Sequence, residues 1–294
     1  MENNVFNKVK QVLLIILVAN FLIAILKIII GTIVNSASIM ADGFHSLSDG
    51  SSNIVGLIGI NLASKPKDKE HPYGHYKFET LSGLFISFML FAVGLKVVFN
   101  AIERFKSPVI MNISSESLIL LLITLIINIY ISVTEFKKGL ELKSSILISD
   151  SMHTKCDIYI SMGVLFTLIA IKIGSPPIID PIASLVVSIL IIHAAYEIFK
   201  ENADILVDKS AISTEEIRDL VMSFDLVKDT HNIRSRGNSN FLYIDLHILV
   251  EPDLSVEKTH ILIHDIEEVI KNKINNNAQL MAHIEPYLDL NTNK

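Results

Sequence analysis

Only one of the 294 residues is a cysteine, and charged residues are scarce. The lone Cys156 excludes an intramolecular disulfide, which fits a reducing cytoplasmic environment. Charged residues make up 19% of the chain and hydrophobic residues 50%, and the mean hydropathy is +0.49. Ordinary soluble domains carry about 25% charged residues. The shortage of charge therefore predicts a membrane protein.

The apolar residues are grouped in six long runs, each sufficient to cross about 30 Å of hydrocarbon as a helix. The first run has no small-residue cleavage site and is too long for the core of a signal peptide, so we expect it to be retained as a span. The predicted transmembrane helices cover residues 12–30, 39–63, 81–101, 117–136, 145–173 and 181–199.

Lysine and arginine are unevenly distributed around these six spans. Ten of them lie at the ends and loops on the side of the N-terminus, and five lie at the opposite ends. Because basic residues favour the cytoplasmic side of a membrane, we expect both termini in the cytoplasm. The predicted location is the inner, or plasma, membrane of the cell.

The character of the chain changes after Val207, where apolar runs shorten and acidic residues accumulate. We therefore expect a membrane domain over residues 1–207 and a cytoplasmic domain over residues 208–294. The second part holds 15 Asp and Glu against 9 Lys and Arg, so it carries the whole net charge of −6. An acidic domain argues against nucleic acid or anionic lipid as a partner and is compatible with cations.

Hydrophobic periodicity predicts a small α+β fold for this cytoplasmic domain. The order of the predicted elements is α-β-β-α-β. They are a helix at residues 214–224, strands at 229–236 and 241–250, a helix at 255–273 and a strand at 278–286.

Three ionisable residues lie in the second apolar run, within the stretch ADGFHSLSDG. On a helix, Asp42, His45 and Asp49 share one face with Asn53. Exposing a carboxylate to lipid costs roughly 3 kcal/mol or more, so this face is expected to point into the helix bundle or toward a water path. A single polar stripe of this kind also occurs where polar side chains only hold helices together.

The fifth run repeats the pattern in the stretch SDSMHTKCDI, with Asp150, His153 and Asp157. The two copies of D-x-x-H-[ST]-x-x-D begin 108 residues apart. Packing alone does not require such a repeat. Residues four apart lie one above the other on a helix, so each H-x-x-x-D pair can hold one side of a metal ion.

Two imidazole nitrogens and two carboxylates form a four-coordinate shell that suits Zn²⁺ and neutralises its charge. When the ion leaves, the buried carboxylates repel one another and gain affinity for protons, and the freed imidazoles also accept protons. Metal and protons then compete for one site, which is what metal/proton exchange requires.

These features together resemble the cation diffusion facilitator family of zinc-transporting antiporters. The resemblance rests on six spans, the paired H-x-x-x-D motifs, the loop KPKDKEHPYGHYKFE and a tail that ends in HIEP. It implies a homodimer that exports Zn²⁺ against protons through alternating access, while some members prefer Mn²⁺, Fe²⁺, Co²⁺, Ni²⁺ or Cd²⁺. The implied transport site is His45, Asp49, His153 and Asp157.

The resemblance also implies roles for residues outside the transport site. Asp42 and Asp150 are expected to hydrogen-bond the ligands, to pass protons, or only to orient helices. In the loop after the second span, Asp68 and His75, with His71, are expected to bind a second metal ion, although a plain solvated loop is the alternative. Lys77 is expected to form a charge cluster with Asp208 that stabilises the dimer.

Five of the ten histidines fall in the cytoplasmic domain. A regulatory role in zinc sensing follows from the resemblance, in which bound zinc tightens the paired domains and biases the spans. The resemblance does not require His264 as a zinc ligand. The implied ligands are His231, His247, His260, His283 and Glu285.

Two further residues of the predicted spans have no assigned role in the transport site. Cys156 is either a small buried residue or a soft neighbour of the metal site, and His193 is interpreted as a packing or hydrogen-bonded residue.

A membrane metallohydrolase would need a base beside an open metal position, as in H-E-x-x-H, and the sequence has no such motif. A receptor without transport predicts no metal flux. We therefore expect a transporter and not an enzyme.

Overall fold

The structure is a computed structural model, and it describes residues 2–33, 37–106, 115–176, 178–238 and 240–288. Within the described helices, the side chains at positions 2–4, 27, 30, 31, 33, 37–49, 116 and 117 lie outside the description. The chain divides into two compact units, residues 1–203 and 204–294.

Long helices build the first unit. Five of them contain a stretch that is long and apolar enough to cross a membrane. In the sixth helix, the described side chains form a shorter apolar stretch, Gly50–Ala63. Five to six apolar helices thus form a membrane domain, as predicted. They are α1 (Glu2–Ile33), α2 (Ala37–Ala63), α3 (Lys77–Lys106), α4 (Ser115–Leu142), α5 (Ser145–Lys172) and α6, which spans Ile179–Leu206.

Large apolar side chains cover the outside of these helices. Ile15, Phe99 and Ile189 are each more than half exposed. In water such surfaces would be unfavourable, whereas lipid tails solvate them. The interior also contains apolar clusters, one of which is formed by Leu90, Cys156 and neighbouring residues of α6.

The N-terminus of α5 is fixed by a carboxylate from α3. Ser144 is the N-cap residue of α5, and its hydroxyl donates to Glu79 Oε1 at 2.6 Å. The backbone N–H groups of Ser145 and Ile146 also bond to Glu79. Because a negative charge is favourable where a helix begins, this contact sets the position of the helix that carries His153 and Asp157.

The second unit has the predicted α-β-β-α-β order, with α7 (Thr214–Val221), β1 (Asp229–Gly237), β2 (Leu242–Val250), α8 (Val256–Lys273) and β3 (Ala278–Pro286). The sheet order is β1-β2-β3, with β1 antiparallel and β3 parallel to β2. Along β2 the even-numbered residues are buried, and they form one core with residues of α7 and α8. The odd-numbered residues, including His247, lie on the opposite face of the sheet.

Candidate functional site

The half of the predicted transport site that lies on α5 is described in full. His153 is 4% exposed, and neither of its ring nitrogens has a hydrogen-bond partner among the described residues. Asp157, one turn further along α5, is partly buried. Leaving buried polar groups unsatisfied costs about 1–3 kcal/mol each, so the imidazole is placed for a partner that the described side chains do not supply.

His153 and Asp157 open on the same small cavity of about 20 Å³, which has room for one water molecule or one metal ion. Most of its lining is polar. The described residues that line it are Asn20, Ile23, Ser52, Asn128, His153, Thr154 and Asp157.

The other half of the predicted site belongs to α2. The backbone of Ala37–Ala63 is helical and packs against α5. The side chains of Asp42, His45 and Asp49 lie outside the described residues. Their part in the metal shell stays a prediction.

Asp150 lies in a buried polar cluster next to this cavity. Asn53 of α2 donates a hydrogen bond to Asp150 Oδ2, and Asn20 of α1 donates to Asn53 Oδ1 at 3.0 Å. Glu135 of α4 is completely buried and interacts with the Asp150 carboxyl group. The sequence reasoning did not single out Glu135, although a lone carboxylate inside the predicted span 117–136 is a pattern that marks functional residues.

The loop between α2 and α3 brings its three predicted ligands together. One ligand atom from each of Asp68, His71 and His75 lies within 4.8 Å of the others. Asp68 Oδ1 is 3.3 Å from His71 Nδ1, and Asp68 Oδ2 is 3.4 Å from His75 Nε2. His75 is buried, and its Nδ1 has no hydrogen-bond partner among the described residues.

The backbone of this loop keeps Asp68 ionised. Asp68 Oδ1 accepts hydrogen bonds from the backbone N–H of His71 at 2.7 Å and of Glu70 at 3.0 Å. The His71 backbone bond is the main reason why the pKa of Asp68 is lowered. Two imidazoles and a carboxylate are suitable ligands for Zn²⁺, with further positions left for water.

The predicted charge cluster joins residues of two different units. Lys77 begins α3. Asp208 has a left-handed backbone, with a φ of 57°, and its Oδ2 lies 3.4 Å from Arg236 Nη1 within the second unit. The pairing of Lys77 with Asp208 across a dimer stays a prediction.

Three histidines form a row on the open face of the sheet in the second unit. His231 pairs with His247 in the antiparallel register, and His247 pairs with His283 in the parallel register. Their ring centroids are 5.0 and 4.8 Å apart. This row is the direct result of the strand order β1-β2-β3.

Glu285 connects the row of histidines. Its Oε1 is 2.7 Å from His247 Nδ1, and its Oε2 is 3.4 Å from His231 Nε2. Ligand atoms of His231, His247 and Glu285 lie within 4.8 Å of one another, while His283 Nε2 is 3.8 Å from Glu285 Oε1. Nitrogen donors around one carboxylate fit a zinc ion.

The remaining predicted residues lie elsewhere. His260 is on α8, which covers the other face of the sheet, and its ring is 4.5 Å from that of the exposed His264. Cys156 is buried in the apolar cluster of α3, α5 and α6, so the structure favours the packing interpretation. The side chain of His193 is 68% exposed, and its Nε2 is 3.4 Å from Glu197 Oε1 on the same helix.

Comparison with known proteins identifies the class to which this arrangement belongs. The family model of the cation efflux transmembrane domain matches residues 13–207, and that of the cation efflux protein cytoplasmic domain matches residues 210–287. The chain therefore belongs to the cation efflux family, which is the cation diffusion facilitator family named above. This family consists of transporters of divalent metal cations, and the chain is a multi-pass membrane protein.

Individual relatives extend over nearly the whole chain. An uncharacterized transporter of Methanocaldococcus jannaschii is 31% identical over 91% of this chain and 93% of its own length. The manganese efflux system protein MneP of Bacillus subtilis is 28% identical over 95% and 97%. The cadmium, cobalt and zinc/H⁺-K⁺ antiporter of Bacillus subtilis is 26% identical over 90% and 86%.

Proposed function

We propose that the chain exports Zn²⁺ from the cytoplasm in exchange for protons, working as a homodimer in the plasma membrane with both termini in the cytoplasm. The observation that carries this proposal is His153, a buried imidazole on the cavity that Asp157 also lines, whose two ring nitrogens have no hydrogen-bond partner among the described residues. His45 and Asp49 on α2 would complete the metal shell. Alternating access then exposes this shell to each side of the membrane in turn.

Zinc is the proposed ion because the site contains imidazole nitrogen. Imidazole suits Zn²⁺, whereas Mn²⁺ is usually held by oxygen ligands. Mn²⁺ is the second candidate, since a relative that aligns over 95% of this chain is named a manganese efflux protein. Fe²⁺ and Cd²⁺ belong in the same comparison because the family has members that prefer them.

Proton exchange follows from the competition between metal and protons for the same groups. A metal-free His153 offers two ring nitrogens to water or protons, and the carboxylates of the site regain protons when the positive ion departs. An inward proton gradient would therefore favour release of the metal on the outer side.

The two other metal-binding clusters fit this function. The loop set of Asp68, His71 and His75 is a candidate for a second metal site. The row of His231, His247 and His283 with Glu285 is a candidate for a zinc sensor in the cytoplasmic domain, to which His260 would contribute only through rearrangement or from a second chain. The Lys77 to Asp208 pairing would belong to the dimer.

The test is metal flux into proteoliposomes under an imposed pH gradient. We expect His153→Ala, Asp49→Ala and Asp157→Ala to lower Zn²⁺ flux by at least about tenfold, because each removes a ligand. His193→Ala is the matched control, since this histidine also lies in a membrane helix but points outward. A competition series with Mn²⁺, Fe²⁺ and Cd²⁺ in the same vesicles identifies the preferred ion.

Three results would each contradict one part of the proposal. Undiminished flux in the three ligand variants would remove the site assignment. No flux of any metal through a folded parent protein would remove the transport assignment and leave a metal receptor. A clear preference for Mn²⁺ would replace zinc as the cargo without changing the site.

A further inference from the structure

Glu135 is a buried acid that the metal site does not use. It lies on α4, is 0% exposed, and neither carboxyl oxygen has a hydrogen-bond donor among the described residues. Ser132, one turn earlier, donates from Oγ to the backbone oxygen of Ser151 at 3.1 Å, which fixes α4 against α5 at this level. Glu135 is therefore held inside the bundle by packing, without a compensating positive charge in the described part of the chain.

The partner of Glu135 is a second acid. Asp150 is also 0% exposed, and its carboxyl group interacts with that of Glu135. Asn53 Nδ2 donates to Asp150 Oδ2, whereas Asp150 Oδ1 has no donor among the described residues. Three of the four carboxyl oxygens of these two buried acids thus have no hydrogen-bond donor among the described residues.

Binding of one proton would remove the repulsion between the two carboxylates. Two adjacent carboxylates in a medium of low dielectric constant repel each other, and neither is solvated by water. One proton converts one carboxylate into a hydroxyl donor, which then bonds to the other carboxylate, and the pair keeps a single negative charge. Pairs of this kind titrate together, so the proton belongs to both residues.

Few charged or polar neighbours of the pair are found among the described side chains. On α5 the next titratable residue is His153, three positions after Asp150, while α2 and α1 contribute the uncharged Asn53 and Asn20 among the described side chains. The described group with an electrostatic effect on Glu135 is Asp150. Apart from the ring of His153, the side chains named here offer no base that competes with the pair for a proton.

The pair is connected to the metal cavity by hydrogen bonds. Asn53 links Asp150 to Asn20, and Asn20 is part of the cavity lining that includes His153 and Asp157. Asp150 also precedes His153 by about one turn of α5. A change of charge in the cavity therefore acts on the pair over a short distance through low-dielectric surroundings, where Coulomb interactions are strong.

We propose that Glu135 and Asp150 form a proton-binding pair, separate from the metal ligands, that takes up a proton when the metal site is empty and releases it when metal binds. The inference rests on the proposed metal/proton exchange. In the exchange step a carboxylate of the pair accepts one proton from water, and metal binding returns that proton, with no other bond formed or broken. The pair thus adds a proton to those that the metal ligands themselves exchange.

The test measures protons released per bound Zn²⁺ by the full chain in detergent, in weakly buffered solution between about pH 6 and pH 8. By linkage, the same number sets the slope of the zinc affinity against pH. We expect Glu135→Gln to release about one proton fewer than the parent and to bind the same number of zinc ions. The control is Glu197→Gln, which alters an exposed carboxylate of α6 and should leave the parent value unchanged.

A second variant separates a shared proton from a structural defect. Asp150→Asn should lower the released protons by about the same amount, and the double variant should lower them no further, because the pair holds one proton. Glu135→Asp should restore the parent value. Circular dichroism and thermal unfolding in detergent verify that each variant is folded.

Three outcomes would overturn the inference. The first is an unchanged proton release in Glu135→Gln. The second is additive losses in the double variant, which would indicate two independent acids. The third is the loss of one bound zinc ion, which would make the pair a metal site. Failure of the antiport itself would appear differently, as an absence of pH-driven zinc flux in the parent protein.

Discussion

Asp68 shows how one carboxylate is prepared for metal binding by the backbone around it. Two backbone N–H groups donate to its Oδ1, and the first of them lowers its pKa. A lowered pKa means that the carboxylate form is present above the ordinary value of 3.8 and is lost only at a still lower pH. Between about pH 7 and pH 5, loss of metal from the loop would therefore not come from protonation of Asp68.

The corresponding prediction concerns Asp68→Asn. We expect this change to weaken zinc binding in the loop by about tenfold, because an anionic ligand becomes neutral. Glu70→Gln is the matched control, since it removes an acid two positions away whose side chain is not part of the three-residue set. Zinc titration of the full chain measures the number and affinity of bound ions. Equal losses in both variants would mean that the loop attracts metal only through its charge.

At the scale of single residues, the sequence predicts which side chains can bind a metal ion better than it predicts which residues lie in contact. The repeat of D-x-x-H-[ST]-x-x-D locates His153 and Asp157, and both line one cavity. The sequence does not identify Glu135, because the role proposed for it depends on Asp150, which is 15 residues away and on another helix. Hydrophobic periodicity shows which face of a helix is polar, but not which other helix packs against that face.

At the scale of helices, close approach of α2 and α3 depends on a glycine. A Cβ atom at Gly59 would lie 1.9 Å from Ser82 Oγ and 2.5 Å from Ser82 Cβ. We therefore expect Gly59→Ala to destabilise the membrane domain by about 1–3 kcal/mol, as overpacking usually does. Thermal unfolding in detergent measures the effect.

Gly50→Ala on the same helix is the control for this prediction. Its added Cβ would lie 3.6 Å from Leu17 and 3.8 Å from Phe21, which are ordinary contacts. Combining Gly59→Ala with Ser82→Gly should recover much of the lost stability, because the clashing side chain is removed. A similar loss in Gly50→Ala would show that backbone flexibility, and not the contact with Ser82, is what these glycines provide.

The elements themselves illustrate what a sequence can specify. Apolar runs locate the middle of each membrane helix, but α3 begins at Lys77 and ends at Lys106, beyond the predicted residues 81–101. Helical hydrogen bonds continue into water, where the apolar pattern that marks a span is absent. In the cytoplasmic domain, alternation identifies the open face of β2, whereas the parallel pairing of His247 with His283 depends on strand order and register.

At the scale of the whole molecule, the proposed metal sensor lies in the acidic cytoplasmic domain and the proposed transport site lies in the apolar membrane domain. Glu285 and three histidines from three strands lie together on one face of the sheet. None of these residues belongs to the membrane helices, so their removal should leave the proposed transport site intact. If zinc bound to this row changes transport, the two units must be coupled. The row must then bind zinc more tightly in one conformation of the protein than in another.

The final prediction follows from this separation. We expect His247→Ala to raise the zinc concentration needed for half-maximal flux by about fivefold or more, the lower range of typical allosteric coupling, and to leave the maximal flux unchanged. His264→Ala is the control, because this histidine is exposed on α8 and lies outside the row on the sheet. Flux titrations in proteoliposomes, together with zinc titration of the same proteins, measure both quantities. Loss of one bound zinc without any change in half-maximal concentration would make the row a storage or structural site, and a fall in maximal flux alone would indicate damage to the membrane domain.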